Sequence, residues 1–179
     1  MDRLERTPLS DRDIYNKLKG KTNILMYKQL NDVDYIEQIL IDNSVVILYE
    51  NKPNRGHWLC IIRHWEPNKD KPTLEFFDSY GFFPDDEKRL IRNDFLQSSH
   101  QKHNKISELL YEASDRYNIE YNDFHLQKKD RDIATCGRHV ISRIKLKELG
   151  IDEYNKFIKS FKKHKLNADD VVTIISEII

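Results

Sequence analysis

One cysteine in this sequence stands where a thiol could act as a nucleophile. Cys136 lies in the run Q-K-K-D-R-D-I-A-T-C-G-R-H-V-I-S-R-I-K-L-K-E-L-G from Gln127 to Gly150, and Val140, Ile141, Ile144 and Leu149 beyond it recur as one helical stripe. The spacing predicts a buried helix over 136–149 with Cys136 at its N-terminus. Thr135 is its expected cap, Arg143, Lys145 and Lys147 fall toward its C-terminal half, and Gly150 is its expected C′ residue. The positive end of the helix dipole favours a thiolate there. A thiolate that attacks a carbonyl needs a base near the sulfur, a group that orients the base, and donors for the oxyanion. The chain offers each: His57 after Gly56, Asp78 at the end of an apolar stretch, and Gln127, whose amide can join the backbone N–H of Cys136.

The elements that must position these residues can be read in order. Ser10 caps a short helix in which Ile14 and Leu18 share a face, and Gly20 closes it. The segment 23–42 mixes extended and helical patterns and yields no single assignment. S-V-V-I-L-Y-E at 44–50 reads as a strand, N-K-P-N-R-G at 51–56 as a turn, and H-W-L-C-I-I-R-H-W at 57–65 as a central strand apolar on both faces. T-L-E-F-F-D-S-Y at 73–80 makes a third consecutive strand. Helices are expected over 85–96 and 105–117, a strand over 118–127 leading into a solvated loop at 128–132, and two helices after Gly150, the last capped by Asn167. The pattern is that of a single α+β domain over residues 1–179.

Composition narrows the function. Thirty basic and thirty acidic residues cancel, so bulk charge asks for neither nucleic acid nor an anionic membrane. The longest apolar run, 45–49, is far too short to span a bilayer, and M-D-R-L-E-R lacks the apolar stretch of a leader. Two cysteines, Cys60 and Cys136, form neither a metal-ligand spacing nor a disulfide framework and suit a reducing compartment. No cofactor or metal is expected.

G-H-W at 56–58, F-F-D-S-Y-G at 76–81, Gln127 and T-C-G at 135–137 occur in the order His, Asp, Gln, Cys, and together resemble the signature of the SUMO-protease/adenovirus-protease superfamily. The resemblance covers roughly residues 44–145, and L-S-D-R-D-I near the start is similar to a recurrent opening in those proteins. Cys-Gly-Arg-His after Thr135 and the short chain look more like maturation proteases of large DNA viruses and virophages than cellular deconjugases. The resemblance implies a papain-like core, a central mixed, mostly antiparallel sheet flanked by helices with the nucleophile on a buried helix. It implies catalysis by Cys136, His57, Asp78 and Gln127, with Trp58 covering a narrow substrate slot that admits glycine. The implied substrate is a capsid or core precursor protein with a glycine-containing cleavage motif, processed in the virion or the virus factory by a monomer without membrane or nucleic acid. Two features depart from the pattern: Gln127 stands nine positions before Cys136, and the chain lacks the basic bias of adenovirus proteases.

Other readings stay open at this level. A ubiquitin-like-modifier deconjugase would use the same chemistry, and an inactive relative would only bind peptides. His139, one turn beyond Cys136, is a second candidate base. His64, His125 and His164 read as surface or edge residues, His100 and His103 lack a metal-binding partner, and Cys60 reads as core.

Overall fold

A computed structural model describes residues 2–130 and 132–178. Arg131, in the loop expected to be solvated, lies outside the described residues, as do Met1 and Ile179. A short helix α1 (Asp2–Glu5) precedes α2 (Asp11–Lys17), where Ser10 and Asp13 form a reciprocal capping box. The ambiguous segment resolves into a four-residue strand β1 (Asn23–Met26) and two 3₁₀ turns, Tyr27–Asp32 and Ile36–Gln38. Three long apolar runs become β2 (Ser44–Lys52), β3 (Arg55–His64) and β4 (Thr73–Phe77). A 3₁₀ turn at Asp86–Leu90 and α3 (Asn93–Ser98) stand where one helix was expected. Then come α4 (Lys105–Ala113), β5 (Asn118–Tyr121), α5 (Cys136–Lys145), α6 (Ile151–Ser160) and α7 (Ala168–Ile178).

The five strands lie in the order β1-β2-β3-β4-β5, with β3 central. β2, β3 and β4 run antiparallel as a meander, while β1 and β5 join the edges in parallel. The alternation of side chains divides the core between the faces of this sheet. Val46, Leu48, Trp58, Cys60, Ile62 and Phe77 pack with α2, α5, α6 and α7 on one side, while Val45, Ile47, Tyr49, Leu59, Ile61, Leu74 and Phe76 pack with α4 and the 3₁₀ turns on the other. Burial on both faces is why β2 and β3 read as continuous apolar runs. This is the α+β arrangement expected of a papain-like core, with a cysteine at the tip of a helix laid on a mixed sheet. No helix among the described residues is long and apolar enough to cross a membrane.

Arg143, on α5, is wholly buried and makes a two-pronged ion pair at 2.7 Å with Glu75 on β4. The Arg143 fork also donates to the carbonyls of Leu146 and Leu149, satisfying the end of its own helix. The helix ends at Lys145, four residues earlier than its apolar stripe, and Gly150 does not close it: Gly150 is the N-cap of α6, with extended backbone. His64 is also not a surface residue. Its side chain is buried, and Nε2 lies 3.4 Å from the Glu75 carboxylate.

Candidate active site

The local chain geometry explains why G-H-W has a glycine. Gly56 pairs with Glu50 across a bulge in the β2–β3 ladder, and a Cβ there would fall 1.6 Å from the carbonyl oxygen of Tyr49. Only glycine permits that approach, which seats His57 opposite Tyr49 near the start of the central strand. Asp78 follows β4 directly. The turn after it closes through Gly81 N–H to the Asp78 carbonyl, with Gly81 at φ +73°, a conformation that favours glycine. The glycines of both motifs therefore position a histidine and an aspartate.

His57 Nε2 lies 3.2 Å from Asp78 Oδ1, which also accepts the backbone N–H of Tyr80 at 2.7 Å. Cys136 opens into the same cleft, and its side chain is among the groups that raise the proton affinity of the ring. With Nε2 turned to Asp78, Nδ1 is the nitrogen left for the thiol. The Tyr80 ring stacks on the imidazole at a centroid distance of 4.6 Å and fixes its plane. Burial opposes charge on His57, but the carboxylates of Glu87 and Asp78, the hydrogen bond that Asp78 accepts from the ring and the nearby Cys136 side chain outweigh it. The pKa of the ring lies well above its ordinary 6.5.

Gln127 and Cys136 line the same cleft as His57. The Gln127 backbone N–H donates to the Ser79 carbonyl, its Oε1 accepts from Ser79 Oγ at 2.8 Å, and its Nε2 donates to Tyr80 Oη at 3.2 Å. The segment after Asp78 thus clamps the glutamine despite its long spacing from the cysteine. The second amide hydrogen and the backbone N–H of Cys136 are donors of the kind an oxyanion requires.

Trp58 also lines the cleft, but it is 7% exposed and belongs to the core between the sheet and α5. Its indole N–H donates to the Leu9 carbonyl at 3.0 Å, and Arg138 Nη1 donates to the Thr7 carbonyl at 2.9 Å, so the segment before α2 is tied down as one wall. Ile24, Met26, Phe82, Leu90 and Ile91 extend an open, largely apolar cleft of about 1770 Å³.

Several expectations about this region change. Thr135 occupies the N-cap position of α5 but makes no side-chain cap; its hydroxyl donates instead to Asp169 on α7. His139 is fully buried with Nε2 3.0 Å from Asp169 Oδ1, so it is not placed to serve the sulfur as a base. The other Asp169 oxygen accepts the Lys128 N–H at 3.1 Å. Burial would raise the Asp169 carboxyl, but His139, Thr135 and Lys128 outweigh it and hold it below the usual carboxylate range. Cys60 is wholly buried, and burial pushes its thiol pKa far up, as befits a core residue.

The sequence reading missed Tyr80, Asp169 and Glu87. Tyr80 was present in the F-F-D-S-Y-G motif without a role, Asp169 lay in a helix far along the chain, and Glu87 lay in the helix expected over 85–96 without a role. Glu87 is in fact buried, with Oε2 4.0 Å from His57 Nε2. The ligand atoms of His57, Asp78 and Glu87 lie within 4.8 Å of one another, close enough to embrace a cation, as do those of His64, Glu66 and Glu120. In the second group the ammonium of Lys69 already bridges the two glutamates.

No protein-family model matches the chain. It is similar to the ASFV pS273R protease, with a TM-score of 0.48 and 15% identity over 85% of this chain, and to a Se-Met form of that protease, with a TM-score of 0.46 and 13% identity. The chain spans 62% and 63% of the length of those two chains. It is 33% identical over 174 residues to Uncharacterized protein V9 of Sputnik virophage, covering 96% of this chain and 95% of the virophage protein. The chain therefore belongs to the same family as Sputnik virophage V9.

Proposed function

We propose that this chain is a virus-encoded thiol endopeptidase. The observation that carries the reading is one buried histidine, His57, held by Asp78 at 3.2 Å in the cleft that Cys136 enters from a helix N-terminus. In this reading the Cys136 proton passes to His57 Nδ1 and the sulfur attacks the scissile carbonyl. The oxyanion accepts hydrogen bonds from the Cys136 N–H and Gln127 Nε2. His57 then gives the proton to the departing amine, and water, deprotonated by the same ring, releases the acyl group. Asp78 keeps the ring oriented and stabilises its charged form.

The substrate reading rests on the cleft. An open trough lined by Leu9, Ile24, Met26, Trp58, Phe82 and Leu90 suits an extended peptide with apolar side chains, held by strand-like main-chain contacts. Trp58 stands beside the base and packs under the cysteine helix against Gly137, and in this reading it narrows the cleft next to the scissile bond, which favours glycine there. A flexible segment of a capsid or core precursor meets both requirements. The test is to compare the new N-termini generated in precursor proteins by wild type and by Cys136→Ala, alongside rates on folded ubiquitin-like fusions. Cys136-dependent cuts after glycine-containing segments support maturation. Efficient processing of the folded fusions with negligible cleavage of peptides would favour a deconjugase, and no Cys136-dependent cuts would favour a peptide binder.

A further inference from the structure

We propose that Glu87 is a positioning residue of this reaction, a second carboxylate beside Asp78 that faces the far nitrogen of His57 and holds the imidazolium of the working thiolate–imidazolium pair. The inference rests on the endopeptidase reading above and adds to it a residue outside the four-residue set.

The geometry begins at Asp85. This residue has left-handed backbone, φ +66°, which costs energy for any residue but glycine and persists only where the surroundings hold it. Here they do. Asp85 Oδ1 accepts the hydroxyls of Tyr27 and Tyr49, the latter at 2.7 Å, and Oδ2 accepts the backbone N–H and hydroxyl of Ser107 at 2.8 and 2.6 Å. Lys88 is drawn the same way, with Nζ 3.6 Å from Asp85 Oδ1 and donating to Tyr27 Oη at 3.3 Å. With Asp85 and Lys88 pinned beneath the sheet, the 3₁₀ turn between them carries Glu87 to the rim of the cleft, where its side chain is about nine-tenths buried beside His57.

A buried carboxylate would ordinarily be neutralised by a close ion pair or several hydrogen bonds. Glu87 Oε2 has no hydrogen-bond partner among the described residues and lies 4.0 Å from His57 Nε2, and Asp78 Oδ2 is likewise buried without one. The groups that face Glu87 are His57 from β3, Asp78 and Tyr80 from the turn after β4, and Tyr49 from β2, and His57 is the cation that acts on it. Burial, with Asp78 adding and His57 opposing, pushes the Glu87 carboxyl up to about 7. Near neutrality it therefore changes charge next to the ring. When the S–H bond of Cys136 breaks, its proton passes to Nδ1 and the electron pair stays on Sγ. An ionised Glu87 lies directly beside the ring that gains the charge, so it favours the ion pair over the neutral pair.

The test follows His57 by NMR of its labelled ring, and Cys136 by its rate of alkylation with iodoacetamide, across pH in full-length wild type, Glu87→Gln and Glu87→Asp, all in chelator. In Glu87→Gln the proton affinity of His57 should fall by roughly tenfold or more. Alkylation by that variant should match wild type at acid pH, where Glu87 is already protonated, and fall behind as pH rises through the Glu87 step; a structural defect would lower it at every pH. The wild-type ring signal should itself carry a step near pH 7, a readout that survives if Glu87→Gln does not fold. Superimposable curves, or a wild-type ring with a single transition, would overturn the role of Glu87 while leaving the endopeptidase reading intact. A wild-type Cys136 that alkylates like a free thiol would overturn that reading instead.

Discussion

Two histidine–aspartate pairs flank Cys136 with nearly the same geometry: His57 Nε2 lies 3.2 Å from Asp78, and His139 Nε2 lies 3.0 Å from Asp169. Their surroundings differ. His57 lines the cleft beside Cys136 and stacks on Tyr80. His139 is wholly enclosed between α5, which carries it, and α7, its Nδ1 has no hydrogen-bond partner among the described residues, and its aspartate is shared with the Thr135 hydroxyl and the Lys128 N–H. In the proposed reading, the first pair passes a proton onward. The other ties the loop before Cys136 to the helix that carries it and to α7. A histidine and a carboxylate at hydrogen-bond distance are thus insufficient to mark a site; the difference is that one ring opens to the cleft with Cys136 and the other does not.

The contrast breaks most sharply on activity. Cys136→Ala and His57→Ala should each lower kcat by at least about 10⁴-fold while leaving a cooperative thermal transition. Asp78→Asn keeps the shape of the pair but removes its charge, and should cost roughly 10²-fold in kcat, since Asp78 orients the base and does not itself react. The buried pair should respond in the opposite currency. His139→Ala strands the Asp169 carboxylate away from water and should lower unfolding free energy by about 3 kcal/mol in a denaturant titration. The folded fraction of that variant should lose less than about 10²-fold in kcat, through displacement of the cysteine helix alone.

The smallest effect, and the one that sharpens the comparison, is in pH dependence. The folded-state pKa of Asp169 is depressed, so its stabilisation is present above the unfolded value of 3.8 and is lost as pH falls through the lower folded value. That of His57 is raised, so its stabilisation is present below 6.5 and is lost as pH rises through the higher folded value. Asp169→Asn should therefore flatten the acid arm of the stability profile, and His57→Gln the alkaline arm, as read from thermal midpoints across pH. Effects on the reverse arms would contradict the assignments.

Much of this arrangement was legible in the sequence, for identifiable reasons. β2 and β3 are apolar on both faces over most of their length, so their composition alone marks them as buried. His57 and Asp78 sit in short motifs whose glycines have local causes, a close backbone approach at Gly56 and a left-handed turn at Gly81. What escaped depends on distant contacts. β1 is a four-residue edge strand, partly exposed throughout, and carries no periodic signal. The hydroxyl of Thr135 is taken from its cap by Asp169, 34 positions later, and Glu87 is turned inward by tyrosines 36 and 58 positions before Asp85. Charged residues in a polar run look solvated until the groups that pin their neighbours are known.

The central claim is that Cys136 and His57 act as one nucleophilic unit. Its most direct test is the rate of covalent labelling by iodoacetamide at mildly acidic pH, with the modified residue located by mass spectrometry. The account predicts rapid labelling of Cys136 alone, with Cys60 untouched in the folded protein, and a steep fall in that rate in His57→Ala. Labelling of Cys136 no faster than a free cysteine, or at a rate indifferent to His57, would contradict it.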